Sequence, residues 1–355
     1  MLPLPVSLAV RKQFSGGRTR RTKDILLTRS RVTNLGVLLL ASFAVLSLLL
    51  NFGYYITSLD EPQVEIPVVK SLLYTPPTNV LDTIQRDETL PALTHLIVVA
   101  GHAIWKGNDA SEILDEEQWI LEAYQRGGGR VNAFVQHIMT GTQLAAEDPR
   151  SLLVFSGGQT RPSSTTTEAE SYMRIATLSD ALPLSQPVTG LDMIVRATTE
   201  DFALDSFQNL LYAIARFHEY TGRYPEDITV VGYEMKRRRF TELHRAALRW
   251  PESRFHYLGV DVEGDEAVRA KDGEIMNGYL PYTLDLYGCH GILLSKRRAR
   301  NPFHRFHSYY TSSPELAGLM NWCPGPSEAR GQTRVYDGPL PWDGLANTES
   351  ASGTS

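Results

Sequence analysis

Three short stretches of this chain hold residues that could meet an anion. Gly101-His102 closes the apolar run HLIVVAG (residues 95–101), Ser156-Gly157-Gly158 closes another in SLLVFSGGQTR (151–161), and GYEMKRRRF (232–240) carries Lys236, Arg237, Arg238 and Arg239 in a row. Glycines after a strand let the backbone turn tightly, and a glycine-rich turn leading into a helix offers N–H groups to negative charge. Gly101, Gly157 and Gly158 are therefore expected to cradle an anion, beside His102 and Ser156. The plainer alternative for the SGG stretch is an ordinary tight turn. A helix cannot aim four consecutive side chains one way, so Lys236 and Arg239, three apart, are the expected phosphate contacts. Their competing role is a solvated helix start, although basic residues there oppose the helix dipole.

A fourth stretch, EDFALDSFQN (200–209), concentrates polar groups. Glu200, placed just past a strand, could hold a ribose hydroxyl or act as a base; otherwise it is a carboxylate favoured by a helix N-terminus. Asp205 and Asn209 lie four apart and share a helix face. Glu200, Asp205 and Lys236 are the candidate catalytic residues, and Gly101, His102, Ser156, Gly157, Gly158, Asn209 and Arg239 the candidate ligand contacts. Cys289 and Cys323 are the two cysteines of the chain and could pair as a disulfide; in a reducing compartment they would be small buried hydrophobes. No CxxC is present, and Cys289-His290 is too close to stand alone as a ligand pair, so no metal site is expected.

Positioning these loops requires strands that end beside one another. Short apolar runs closed by Gly or a polar residue occur at 95–101, 151–157, 191–197, 227–233 and 254–260. Between them, Ser111–Arg126, Val131–Ala146, Thr167–Leu178, Ala203–Thr221 and Arg238–Trp250 read as helices. Leu210, Leu211, Ile214 and Phe217 mark a core face, and the threonines before Glu168 supply an N-cap. Alternating strands and helices imply an α/β fold, three-layered and Rossmann-like, with a mainly parallel sheet. In such sheets ligands bind at the strands' C-terminal edge, where these loops converge.

The order of these motifs resembles the YdcF/SanA/ElyC-like domain family, and within it a membrane-anchored eukaryotic branch. VVAGHAIW, FSGGQTR followed by TEAES, the 200–209 stretch and VGYEMKRRR fall in the family's order over about residues 94–260. Ala203, Asp205, Ser206 and Gln208 depart from the family's Ser, Asn, Thr and Glu, and Lys236 stands where it has His, while Arg239 is kept. A lysine near its ordinary pKa of about 10 is a poor base unless strongly desolvated. The resemblance implies a nucleotide-using or phosphate-recognising site, and a nucleotide or S-adenosylmethionine-like ligand as the cofactor. Its small phosphorylated substrate could be lipid-linked, acted on by a transferase or hydrolase. The rival is a non-catalytic binding or scaffolding factor, since no nucleophile–base pair replaces the missing His.

The charge is divided. Residues 1–31 carry eight basic side chains against Asp24, a sum of +7, leaving −12 on the rest of a chain whose net charge is −5. An acidic body and the lack of a recognised motif argue against nucleic acid as a partner. Residues 35–56 contain no charge and are long enough for a membrane-spanning helix. The expected topology is a single-pass membrane protein: a basic cytosolic arm (1–34), a spanning helix (35–56), a proline-interrupted linker (57–93), a lumenal domain (94–340) and a disordered tail (341–355). A cleaved signal, a buried core helix and a mitochondrial leader are the alternatives. From about residue 261 an aromatic and basic extension either packs on the sheet or walls the site with Lys296, Arg297 and Arg298.

Overall fold

The computed structural model describes residues 39–53, 83–84, 86, 90–184, 195–261, 265–325 and 334–345. The chain divides into two units, Met1–Leu72 and Leu73–Ser355. In the first, residues 39–53 form a helix with its apolar side chains exposed. Among the described residues no helix is long and apolar enough to cross a membrane. This corrects the expected spanning helix over 35–56 and, with it, the single-pass topology and the lumenal placement of the main domain. Residues 35–38 and 54–56, the basic arm, most of the linker and residues 346–355 lie outside the described residues.

The second unit is built on five parallel strands: β1 (His95–Ala100), β4 (Ser151–Ser156), β5 (Ala197–Glu200), β6 (Asp227–Gly232) and β7 (Phe255–Gly259). Their spatial order is β5-β4-β1-β6-β7, and β2 (Ile104–Trp105) pairs separately with β3 (Trp119–Ile120). The chain winds one way from β1 through β4 to β5, then crosses back to β6 and β7. The switch of direction falls between β1 and β6, the usual ligand crevice of such sheets. The α/β class with a parallel sheet is as expected.

The sequence of β1 explains its central place. Leu96 and Val98 join a core with α3 (Ser206–Thr221), while Ile97 and Val99 join another with α1 (Arg130–Glu147) and α2 (Glu168–Leu178). A strand covered on both faces needs an unbroken apolar run, which HLIVVA supplies. The C-terminal extension thickens the first core: Tyr282, Tyr287, Leu293, Tyr309 and Trp342 are buried against α3 and the sheet. Trp342 is 1% exposed and donates its indole N–H to Leu248 O at 2.7 Å, so the ordered chain runs past the expected boundary at residue 340.

Two expected elements are absent as drawn. Ser111–Arg126 is not a helix but three short 3-10 turns around the β2–β3 pair. Asp109 and Asp115 accept hydrogen bonds from the N–H groups of Ser111 and Glu117, local bonds that compete with a continuous helix. Trp119 is buried and donates to Ile113 O, which needs a turn between them. The strand expected at 191–197 begins only at Ala197, and residues 191–194 are not described. Arg196 sets that start: its guanidinium donates to Ala145 O, Asp148 O and Ser151 O, tying the C-terminal end of α1 to the foot of β4.

Candidate functional site

The ends of β1, β4 and β6 converge, but the glycines do not cradle an anion. Gly101 N donates to Ser156 O at 2.7 Å, Gly157 N to Glu200 O at 2.9 Å and Gly158 N to Ala203 O at 2.8 Å. What these residues permit is close approach of α2. A Cβ on Gly101 or Gly157 would stand 2.7 or 2.8 Å from the Cβ of Glu168, the first residue of that helix. Thr167 caps α2 by accepting from Glu170 N, and Glu170 returns the bond by accepting from Thr167 N. Glu168 thus sits over the glycines, with Oε1 accepting from the Thr160 hydroxyl at 2.5 Å.

Ser156, Glu200 and Asn209 form a buried cluster behind this floor. The Ser156 hydroxyl donates to Glu200 Oε2 at 2.7 Å and lies 3.2 Å from Asn209 Oδ1. Glu200 Oε1 accepts from Phe202 N and from the Tyr309 hydroxyl. Burial pushes the Glu200 carboxyl up to about 7, against the pull of the Ser156 hydrogen bond. Fully buried, it does not line the cleft, so neither the ribose contact nor the base role expected of it is formed. Asp205 caps α3 by accepting from Gln208 N and is paired with Arg297. Burial works to raise its carboxyl, yet the adjacent Arg297 charge and hydrogen bond bring it below the ordinary value. Asp205 and Asn209 do reach the cleft wall.

The basic side is where chemistry gathers. The cleft encloses about 920 Å³ and is bounded by His102, Glu168, Lys236, Arg239, Lys296 and Arg300 among others. Lys236 Nζ lies 3.2 Å from His102 Nδ1 and over the Tyr233 ring at 5.4 Å. Burial, reinforced by the positive charge of Arg239, lowers the Lys236 ammonium to about 7. The desolvation that would free this lysine from its ordinary range is therefore present. His102 is held neutral by burial and then by the Lys236 charge, well below its ordinary value. Its ring packs against Phe134, His137 and Tyr233, and Nε2 is buried without a hydrogen-bond partner among the described residues.

Arg239 is not free to reach far. It pairs with Glu274 at 3.1 Å, the two side chains 10% and 8% exposed. Gly278 makes room for the pair, since a Cβ there would stand 2.6 Å from the Arg239 guanidinium and 2.7 Å from the Glu274 carboxylate. Lys296 and Arg300 project from α5 (Gly291–Ala299) and the residue after it; an α4 helix (Asp265–Glu274) precedes them in the chain. Lys296 donates to Asn277 O and Arg300 to Leu204 O, both neutral acceptors. Their four-residue spacing in SKRRAR was the available signal for a shared face. Glu168 was legible in TEAES, whereas nothing in the sequence pointed to Glu274. The extension both packs and walls the site: Tyr282 and Leu293 are core, Lys296 lines the cleft, Arg297 backs it through Asp205, and Arg298 does not line it.

Cys289 and Cys323 are joined as a disulfide, with Cα atoms 6.0 Å apart.

The chain is similar to the uncharacterized protein YOR238W of Saccharomyces cerevisiae, 29% identical over an alignment of 262 positions that covers 60% of this chain and 86% of the relative. No family model matches the chain. No solved structure matches it.

Proposed function

We propose that the cleft binds a small phosphorylated anion of nucleotide-like size. The observation that carries this is the mutual repulsion of four cations on one wall. The charges of Arg239 and Arg300 both act to lower the proton affinity of Lys236 and of Lys296, against a weaker pull from Glu274, and among the described residues Arg239 alone of the four stands in an ion pair, with Glu274. Clustered like charges in a partly desolvated crevice are costly unless an anion completes them. Around the whole cleft, eight Lys and Arg side chains face four carboxylates, a formal +4 in a chain of −5. The crevice lies at the switch of strand order, and its volume suits a nucleotide or sugar phosphate. The motif order resembling the YdcF-like family agrees with this reading. Tyr124, largely exposed at the rim, offers a ring on which a base could stack.

A binding role is favoured over group transfer, because Glu200 and Asp205 are committed to the loop at residues 202–203 and to the α3 cap. Calorimetry of the full chain with pyrophosphate, adenine nucleotides and sugar phosphates tests the proposal. Each charge-assisted hydrogen bond contributes about 1.5–3 kcal/mol, so Lys296→Ala with Arg300→Ala should weaken binding by at least about 100-fold. Unchanged affinity in that double variant, or no binding across the panel, refutes it.

A further inference from the structure

The turn that leads into α5 brings two sulfurs and an imidazole together, with the Asp285 carboxylate beside them. Cys289 Sγ, Cys323 Sγ and a ring nitrogen of His290 all lie within 4.8 Å of one another. His290 Nε2 is 3.2 Å from Cys323 Sγ, and Asp285 Oδ1 is 3.8 Å from Cys289 Sγ. In a tetrahedral zinc site with Zn–S of about 2.3 Å and Zn–N of about 2.0 Å, two sulfurs stand about 3.8 Å apart and a sulfur and a nitrogen about 3.5 Å apart. The sulfur–nitrogen pair is near that separation, and the two sulfurs, now bonded to each other, must part to reach theirs once the bond is reduced.

We propose that this group, once its disulfide is reduced, is a Zn²⁺ site with Cys289, Cys323 and His290 as ligands and a solvent oxygen in the fourth position. A dithiol reductant supplies the two electrons and two protons that open the S–S bond, and is itself oxidised to a disulfide. Zn²⁺ then displaces both thiol protons to solvent and is held by two thiolates, one imidazole nitrogen and one water oxygen. The set of two soft sulfurs with nitrogen and oxygen suits zinc rather than magnesium or calcium. His290 Nε2 now donates to Pro324 O at 2.7 Å. In the metal-bound form that nitrogen gives up Pro324 and the ring proton sits on Nδ1.

Two features keep the donors in place after reduction. Asp285 accepts the backbone N–H of Cys289 at 3.1 Å and that of His290 at 2.8 Å, bonds that do not depend on the S–S link. Cys323 is exposed, so an ion can reach the group from solvent. Zinc would join the same two segments that the disulfide joins, the start of α5 and the turn at 321–325, so one pair of sulfurs fastens this corner in either redox state.

The test uses the full chain, reduced with a dithiol, desalted without oxygen and titrated with Co²⁺. One Co²⁺ per chain should give a thiolate-to-cobalt charge-transfer band that Zn²⁺ abolishes and that the oxidised protein lacks. Cys323→Ser should lose the band, and His290→Ala, which keeps both sulfurs, should weaken Zn²⁺ binding tenfold or more. Bound Zn²⁺ should also protect both wild-type thiols from alkylation by iodoacetamide, a readout that does not depend on any variant folding. No cobalt band in the reduced protein, unprotected thiols, or unchanged affinity in His290→Ala would each overturn the proposal.

Discussion

Replacing Lys236 with methionine should stabilise the protein near neutral pH, and the gain should vanish in alkali. Lys236 lies in the wall of the cleft, its ammonium lowered from 10.5 to about 7 by burial and by the Arg239 charge. At about 1.36 kcal/mol per pKa unit, the whole shift corresponds to about 5 kcal/mol of penalty on the charged form. The side chain is partly open to water in the cleft, and screening reduces this to on the order of 2 kcal/mol. The sign follows from proton counting. Below about pH 7 the lysine is charged in both folded and unfolded chains, and the folded state bears the full penalty. Between about pH 7 and the ordinary value of 10.5 the unfolded chain holds more protons, so stability from this group rises with pH. Lys236→Met keeps the length of the side chain and removes the charge. Urea unfolding of both proteins from about pH 6 to about pH 10 isolates the effect, because every other titration appears in both curves. The difference should be about 2 kcal/mol in favour of methionine at the acid end and close to zero at the alkaline end. A variant less stable than wild type, or a difference that does not change with pH, refutes the reasoning. The same variant should bind pyrophosphate more weakly, the usual exchange of stability for a functional charge.

Three further outcomes follow from the packing. Gly101→Ala and Gly157→Ala should each destabilise by about 1–3 kcal/mol, because both new methyls press on the Cβ of Glu168. The double variant should cost less than the sum, since one shift of α2 relieves both, and chemical denaturation measures this directly. Glu274→Gln breaks a buried pair and should cost about 3–5 kcal/mol, partly recovered in thermal unfolding with saturating pyrophosphate. Glu200 is raised from 4.5 to about 7, so the folded chain holds more protons in that interval and stability falls as pH rises through it. Glu200→Gln should abolish that component, gaining up to about 3 kcal/mol relative to wild type above about pH 7.

Much of the scaffold was legible because strand and helix periods are local. HLIVVA and DITVVG are apolar without alternation, as strands buried on both faces must be, and Thr167 to Glu170 spells its own cap. Where local signals competed, the reading failed. Asp109 and Asp115 made turns in a stretch with helical composition, and LDMIVRA looked more like a strand than the ATTE that joins the sheet edge. The uncharged run at 35–56 satisfied a length rule that no helix among the described residues meets.

The sequence by itself determined the α/β alternation, the strands whose ends converge and the presence of Lys236 and Arg239 after β6, because these depend on neighbours a few residues apart. Only the tertiary structure decided what those residues do. Gly101 and Gly157 spend their N–H groups on carbonyls of adjacent strands, and Glu200 is buried beneath Tyr309, which lies 109 residues along the chain. Arg239 meets Glu274, and Asp205 meets Arg297, 92 residues away. A charge is tuned by whatever folding brings within a few ångströms and by how much water is left there, and neither quantity is written in local spacing.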